Sequence, residues 1–180
     1  MKRYINPFDY ANHIFSALKK GFLVTGKRGD QVNPMTISWG TMGVEWNMDI
    51  FTVFVRENRY TKTVLDENPE FTINIPYGAE ADKRITAFCG TKSGRDVDKV
   101  KELGLTLVEP DVIGVPGIKE LPLTLECKVV YKQTQDPDAI PKEIKRKHYP
   151  EAVDSSAPGA NRDFHTAYYG QIVAAYIIED

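Results

Sequence analysis

The chain has 180 residues, and its 42% hydrophobic and 27% charged content is that of an ordinary globular protein. This length suits one domain over residues 1–180, because single cores usually stop growing only above ~250 residues. No run approaches the ~18 apolar residues of a membrane span, and a net charge of −2 gives no electrostatic case for nucleic acid or an anionic membrane. Two distant cysteines, Cys89 and Cys127, and an N-terminus without a secretory signal lead us to expect a cytoplasmic protein.

The first predicted elements are a helix and a strand. Apolar residues recur at four-residue spacing from Phe8 to Lys20, which predicts an amphipathic helix, and Gly21 is placed to end it. A strand from Phe22 to Gly26 should follow.

The next segment alternates polar and apolar residues after an expected turn at Asn33-Pro34. The alternation predicts a strand with two different faces. One face should carry Thr36, Ser38 and Gly40. The other should carry Met35, Ile37 and Trp39.

The middle of the chain combines short strands and short helices. Asp49 to Val55 and Glu70 to Pro76 read as strands, and Thr61 should cap a helix between them. Further on, we expect the following elements: a helix from Ala79 to Phe88, a loop from Cys89 to Arg95, a helix from Asp96 to Leu103 ended by Gly104, and a strand from Leu105 to Val108.

Two long strands, Leu123 to Gln133 and Ala167 to Ile178, dominate the last third of the chain. Between them lies a Pro- and Lys-rich stretch, residues 136–162, which we interpret as a variable and mobile insertion with one helix from Ala139 to His148. About seven strand-like runs with short helices favour a closed or nearly closed antiparallel barrel over a parallel α/β sheet.

Familiar catalytic signatures are missing from the sequence. It has no GxGxxG after a strand, Walker A, HExxH or GxSxG motif. The three histidines, His13, His148 and His165, lie on separate elements, so the sequence predicts no metal site.

Two segments have the residue types that hold an anion. In Arg56 to Thr61, the start of a helix follows Arg56 and Arg59, so that backbone N–H groups, hydroxyls and a guanidinium can face a phosphate. In Thr91 to Asp96, hydroxyls, cations and a glycine precede a helix that carries Lys99. Either segment can equally be an ordinary helix start with solvated charges.

Three motifs in this order and spacing resemble the flavin reductase family: Asn33 to Gly40 (NPMTISWG), Arg56 to Thr61 (RENRYT) and Ser93 to Lys99 (SGRDVDK). The closest likeness is to its flavoredoxin-like branch, and it extends to His165–Ile172 (HTAYYGQI). The resemblance implies a mainly β fold with flanking helices, a six-stranded antiparallel Greek key split barrel that binds FMN, and a homodimer.

The resemblance also implies residue roles. Thr36, Ser38 and Trp39 would line the isoalloxazine ring, and Arg56, Tyr60 and Thr61 would serve the phosphate and ribityl chain. The rest of the cradle would come from Cys89, Gly90, Thr91, Ser93, Arg95 and Lys99, with His165 near the nicotinamide or acceptor.

Simpler roles remain open for four of these residues. Trp39 can be packed inside a strand, Cys89 can be a small buried hydrophobe, and His165 can be a surface histidine. Tyr60 can staple its helix to the barrel as well as contact the flavin.

Three functional hypotheses follow. The first is an NAD(P)H-dependent flavin reductase, with NADH or NADPH as electron donor and FMN as cofactor or substrate. The second is a flavoredoxin-like electron carrier with tightly bound FMN and a protein acceptor. The third is a non-catalytic dimeric ligand-binding module.

Overall fold

A computed structural model of the protein describes residues 1–78 and 82–179. The strands are β1 Lys2–Tyr4, β2 Phe22–Arg28, β3 Gln31–Ile37, β4 Gly40–Glu45, β5 Met48–Arg56, β6 Glu70–Ile75, β7 Leu107–Val108, β8 Gly117–Ile118, β9 Leu123–Thr134 and β10 His165–Ile178. The α-helices are α1 Ala11–Leu18, α2 Tyr60–Glu67, α3 Lys83–Thr91, α4 Lys99–Leu103 and α5 Lys142–His148. Short 3-10 turns lie at Pro7–Tyr10, Pro137–Ala139 and Ala160–Arg162.

The main sheet is antiparallel and has eight strands. Its order is β3-β2-β6-β9-β10-β5-β4, with β1 paired to the far end of β10, while β7 and β8 form a separate two-stranded sheet. This confirms the expected mainly β architecture with flanking helices, although the sheet has eight strands rather than six. Among the described residues no ladder joins β3 to β4, so hydrogen bonds do not close the barrel; Ser38 and Trp39 link these two strands covalently.

The core lies between the inward faces of the sheet strands. Phe22, Phe51, Phe71 and Tyr168 are each fully buried there. Burial of such large side chains, at ~1.5–3 kcal/mol each, is the main stabilising contribution. The two longest strands, β9 and β10, pair with each other in the middle of the sheet order.

Several predicted boundaries are wrong near β3. The expected turn at Asn33-Pro34 lies inside β3, which is an edge strand where proline is tolerated. The turn is at Gly29 and Asp30, where Gly29 has a φ of 57°. The alternation stops at Ile37, so Trp39 is exposed instead of sharing the buried face of Met35 and Ile37.

The helices also differ from the predicted bounds. The N-cap of α2 is Arg59, so Thr61 lies inside the helix instead of capping it. Helix α3 continues through Cys89, Gly90 and Thr91, which were expected in a loop, and residues 79–81 of its predicted start lie outside the described residues. Gly104 ends α4 with a φ of 62°, as predicted, but α4 is only five residues long because Asp98 caps it.

Some of the remaining segments match their predicted bounds closely, and others match them only in part. The first helix is a 3-10 turn followed by α1, the short strand is only Leu107–Val108, and α5 begins at Lys142 rather than Ala139. The long strands β9 and β10 are confirmed almost to the residue. The residue 136–162 segment is anchored on the sheet through Tyr149 and Ala160, which are both buried.

Candidate flavin site

A cavity of about 260 Å³, here called the ring cavity, lies where β3 leaves the sheet beside the adjoining ends of β5 and β10. The β10–β5 register places His165 opposite Arg56 at this point. The Trp39 ring lies 4.8 Å from the His165 ring and 5.4 Å from the His148 ring. The lining residues are Met35, Thr36, Ile37, Ser38, Trp39, Phe54, Arg56, Arg59 and His165.

Thr36, Ser38 and Trp39 all line this ring cavity, where the sequence predicted a planar ring. The Thr36 hydroxyl donates to the Thr86 carbonyl at 2.6 Å, so towards a ligand its oxygen can only accept a hydrogen bond. Trp39 is 39% exposed, so part of its ring stays accessible beside the packed rings of His165 and His148.

Arg56 lies in the ring cavity rather than at an anion site. Its guanidinium donates to the Asp163 carbonyl at 2.8 Å and lies 5.4 Å from the centre of the Tyr149 ring. Burial lowers the pKa of Arg56, although the nearby Asp163 partly opposes this shift. The structure therefore uses Arg56 to join β5 to the end of the 136–162 segment.

A second cavity of about 120 Å³, here called the cationic cavity, adjoins the first, because Met35 and Arg59 line both. Its other lining residues are Asn33, Asn58, Tyr60, Thr61, Cys89, Gly90, Lys92, Ser93, Gly94, Arg95 and Lys99. The structure thus brings together most of the residues predicted for the phosphate cradle. Of the two arginines that the sequence offered, Arg59 is the one placed in this cavity.

Lys99 is a buried cation in the wall of the cationic cavity. It is only 3% exposed, and its ammonium donates to the carbonyl oxygens of Pro34 at 2.9 Å and Cys89 at 3.3 Å. No carboxylate of the described residues pairs with it, and burial lowers its pKa. A buried ammonium without a counter-charge is costly, so this cavity favours an anion.

The start of helix α2 adds to this preference. Its N-cap, Arg59, provides no side-chain cap, and of the first three N–H groups of this eight-residue helix only that of Lys62 is bonded to an oxygen of the described residues, the Arg59 carbonyl at 3.0 Å. Together with Lys99, Arg59 and Arg95 these groups suit a phosphate.

Other predicted cradle residues act as its frame. The Thr61 hydroxyl accepts from Asn33 at 2.9 Å, and the Tyr60 hydroxyl donates to Gln31 at 2.7 Å. The Thr91 hydroxyl donates to the Ala87 carbonyl, and the Ser93 hydroxyl accepts from the Arg95 backbone N–H. These contacts hold the segments in place around the cavity.

Cys89 and Gly90 lie on helix α3 where it faces β3. Burial raises the pKa of the Cys89 thiol to about 11, so the thiol is neutral at pH 7. A Cβ at Gly90 would lie 3.4 Å from the Thr36 Cβ, so glycine here lets α3 approach β3 closely.

Two further residues at the site were not predicted from the sequence as ligand-contacting residues. Asn33 is 2% exposed and its side-chain oxygen has no hydrogen-bond partner among the described residues, which is unusual for a buried acceptor. Tyr149 reaches the site from the 136–162 segment. Nothing in the spacing of Tyr149 indicates this, since it depends on how that segment packs, whereas Asn33 lies within the first motif.

These residues fit a ligand with a planar polar ring at one end and an anion at the other. The ring cavity offers Trp39 and hydrogen-bonding groups, and the adjoining cationic cavity offers Lys99 and a helix start. An FMN molecule has this shape and charge distribution.

Neither a metal site nor a membrane-spanning helix is found in the described residues. Within residues 1–78 and 82–179 no three His, Cys, Asp or Glu side chains come together as a metal site would require. None of the helices described in that part of the chain is both long and apolar enough to cross a bilayer.

Comparison with known proteins agrees with this geometry. Residues 19–180 match the profile of the family described as "Flavin reductase like domain". An uncharacterized protein from Archaeoglobus fulgidus is 32% identical over 136 residues, which are 75% of each chain. The flavoredoxin structure from Methanosarcina acetivorans aligns with a TM-score of 0.63 and 25% identity, covering 88% of this chain and 68% of that one.

Flavoredoxin of Desulfovibrio vulgaris (Miyazaki F) shares the fold, with a TM-score of 0.64 at 24% identity over 88% of this chain and 69% of that one. The family profile covers nearly the whole chain and includes all three motifs. The chain belongs to the flavin reductase like domain family.

Proposed function

We propose that this protein binds FMN and acts as an NAD(P)H-dependent flavin reductase. The observation that carries the proposal is the buried Lys99 ammonium, which has no carboxylate partner among the described residues and lines the cationic cavity. A dianionic phosphate there would compensate the buried charge. When bound, FMN would supply the atom, its N5, that accepts a hydride from a nicotinamide.

The residues would divide into two groups. Lys99, Arg59 and Arg95 would bind the phosphate together with the uncapped start of α2. Thr36, Ser38 and Trp39 would orient the ring. In this reading the protein contributes position and electrostatics, and Arg56 maintains the cavity wall.

The first test is an anaerobic visible spectrum of the purified protein with FMN, before and after NADH or NADPH. Bleaching of the flavin bands on addition of either nucleotide is the expected result. Bands that persist with both nucleotides would exclude the reductase.

The phosphate assignment has its own test with Lys99→Met. Loss of a charge-assisted bond of ~1.5–3 kcal/mol should weaken FMN about 10- to 100-fold. Riboflavin, which lacks the phosphate, should bind the variant about as well as it binds the parent. Lys101→Met, on the same helix but exposed, is the control, and equal losses for FMN and riboflavin would refute the assignment.

A flavoredoxin-like electron carrier is the second candidate. Trp39, His148 and His165 pack together at the ring cavity, which would restrict nicotinamide access, and two similar structures are flavoredoxins. This alternative predicts FMN that co-purifies and is reduced by dithionite, with slow turnover by NADH and NADPH and electron transfer to a protein acceptor.

We also propose that the protein is a cytoplasmic, single-domain homodimer, as the family resemblance and the two free buried cysteines suggest. The rings of two exposed aromatic residues, Trp46 and Tyr131, lie 6.1 Å apart and are suitable for contact with a second copy. Light scattering after size exclusion should give twice the 20.3 kDa chain mass.

A further inference from the structure

Tyr149 connects the 136–162 segment to the ring cavity. It follows α5, is 4% exposed, and its ring packs 4.6 Å from the Phe164 ring. Its hydroxyl lies 2.9 Å from Gln135 Oε1 and 2.8 Å from His165 Nδ1.

The direction of these hydrogen bonds follows from one group that can only donate. The His165 backbone N–H points at the Gln135 side chain at 3.2 Å, so the atom it meets must be the acceptor Oε1. The Tyr149 hydroxyl proton is therefore donated to that same oxygen. The Tyr149 oxygen must then accept from His165, which places a proton on His165 Nδ1.

The other nitrogen of His165 has no such partner. Burial, and then the charges of Arg56, Arg59 and His148, lower the pKa of His165 to about 4, so the ring is neutral at pH 7. With the proton on Nδ1, Nε2 carries a free lone pair. None of the described residues donates to Nε2, and His165 lines the ring cavity.

We propose that Tyr149 is a positioning residue that holds His165 in the Nδ1–H tautomer, so that Nε2 accepts a hydrogen bond from an imide or carboxamide N–H of the ligand. The inference rests on the proposed function, since such an N–H belongs to the flavin ring (N3–H) or to the nicotinamide carboxamide. In the opposite tautomer, Nε2–H would face that donor and the two would repel each other.

The tautomer itself is tested without ligand, by ¹⁵N NMR of the histidine rings, with His165 assigned by its loss in His165→Gln. In the parent protein Nδ1 should be protonated and Nε2 not. Tyr149→Phe keeps the packed ring but should give a mixture of tautomers. Gln135→Leu leaves the Tyr149 proton free to point at Nδ1, so its expected signal is protonated Nε2. A parent protein with protonated Nε2, or variants with unchanged signals, would overturn the proposal.

Binding measurements then identify the donor. If it is the flavin N3–H, Tyr149→Phe should weaken FMN about three- to tenfold, the loss of one neutral hydrogen bond, and leave N3-methyl-FMN unaffected. If the donor is the carboxamide, Tyr149→Phe should leave the affinity for FMN unchanged and raise the KM for NADH. The KM for the reduced 3-acetylpyridine analogue should then stay the same. Tyr4→Phe is the control, because Tyr4 is exposed on β1, at the end of β10 away from His165.

Losses that are equal for FMN and N3-methyl-FMN, or no change in either arm, would refute the role of Nε2. A protein that binds no flavin at all would instead refute the proposed function, while the NMR result would still report on the tautomer.

Discussion

At the scale of single residues, Gly170 on β10 leaves less room for a Cβ than any other glycine in the described strands. A Cβ there would lie 2.4 Å from the Phe71 ring and 2.8 Å from the Cys127 Cβ. Both neighbours are fully buried and belong to adjacent core positions, so neither can withdraw easily. The position also coincides with a shift in register between β10 and β9, which is where strands often need a small residue.

Gly170→Ala should therefore lower the free energy of unfolding by ~1–3 kcal/mol, the usual cost of overpacking a core. Urea denaturation of the parent and the variant measures it. Gly43→Ala, in β4 with no atom within 4 Å of the added Cβ, is the matched control. Equal midpoints for the two variants would contradict the packing argument.

At the scale of elements, helix α2 is attached to the sheet by Asp66. Its carboxylate accepts from Lys62 at 2.8 Å within the helix, and from Lys132 and Tyr168 at 2.9 Å in β9 and β10. The N-terminal half of α2 faces the cationic cavity, so this attachment also fixes the site. Close packing assists it, since a Cβ at Gly26 would lie 2.8 Å from Val64.

Asp66→Ala should destabilise the protein by ~1–3 kcal/mol, because it leaves the Tyr168 hydroxyl without an acceptor. Tyr168→Phe should cost less, and the double variant should cost less than the sum of the two. Chemical denaturation of all three measures the coupling. Glu67→Ala is the control. It breaks only the half-exposed ion pair with Arg28 and should change the free energy of unfolding by less than ~1 kcal/mol. Strictly additive losses for Asp66→Ala and Tyr168→Phe would argue against the network.

At the scale of the whole molecule, the 136–162 segment packs against residues that line the ring cavity, with His148 on Trp39 and Tyr149 on His165. Arg56 donates to the Asp163 carbonyl behind it, and Tyr149 bonds to His165. Folding of the sheet and docking of this segment thus both bury the same histidine. Because this histidine is buried, the free energy of unfolding should depend on pH.

In the unfolded chain the pKa of His165 is about 6.5. In the folded chain burial, and then the charges of Arg56, Arg59 and His148, lower this pKa to about 4. The unfolded state then holds more protons between these values, so the free energy of unfolding should fall as the pH drops from 6.5 to 4. Denaturation at a series of pH values measures this. His165→Gln should flatten the dependence in that window, and an unchanged slope in this variant would disprove it.

The sequence by itself predicts the strands and the family. Long runs rich in β-branched and aromatic residues predict β9 and β10, because such side chains pack well on the surface of a sheet. The three motifs predict the site because the residues that bind a ligand lie close together along the chain at each contact. Gly104 also marks the end of α4, since only a residue that tolerates a positive φ fits there.

Only the tertiary structure shows which groups meet. Pro34 reads as a turn residue in sequence, but its place on an edge strand lets it remain in β3, with its carbonyl bound by Lys99. Arg56 and Arg59 look equivalent in sequence, and it is the pairing of β5 with β10 that places Arg56 against the Asp163 carbonyl and leaves Arg59 at the cationic cavity. Burial and long-range contacts, such as that of Tyr149 with His165, depend on packing between segments far apart in the chain, and local propensity carries no information about them.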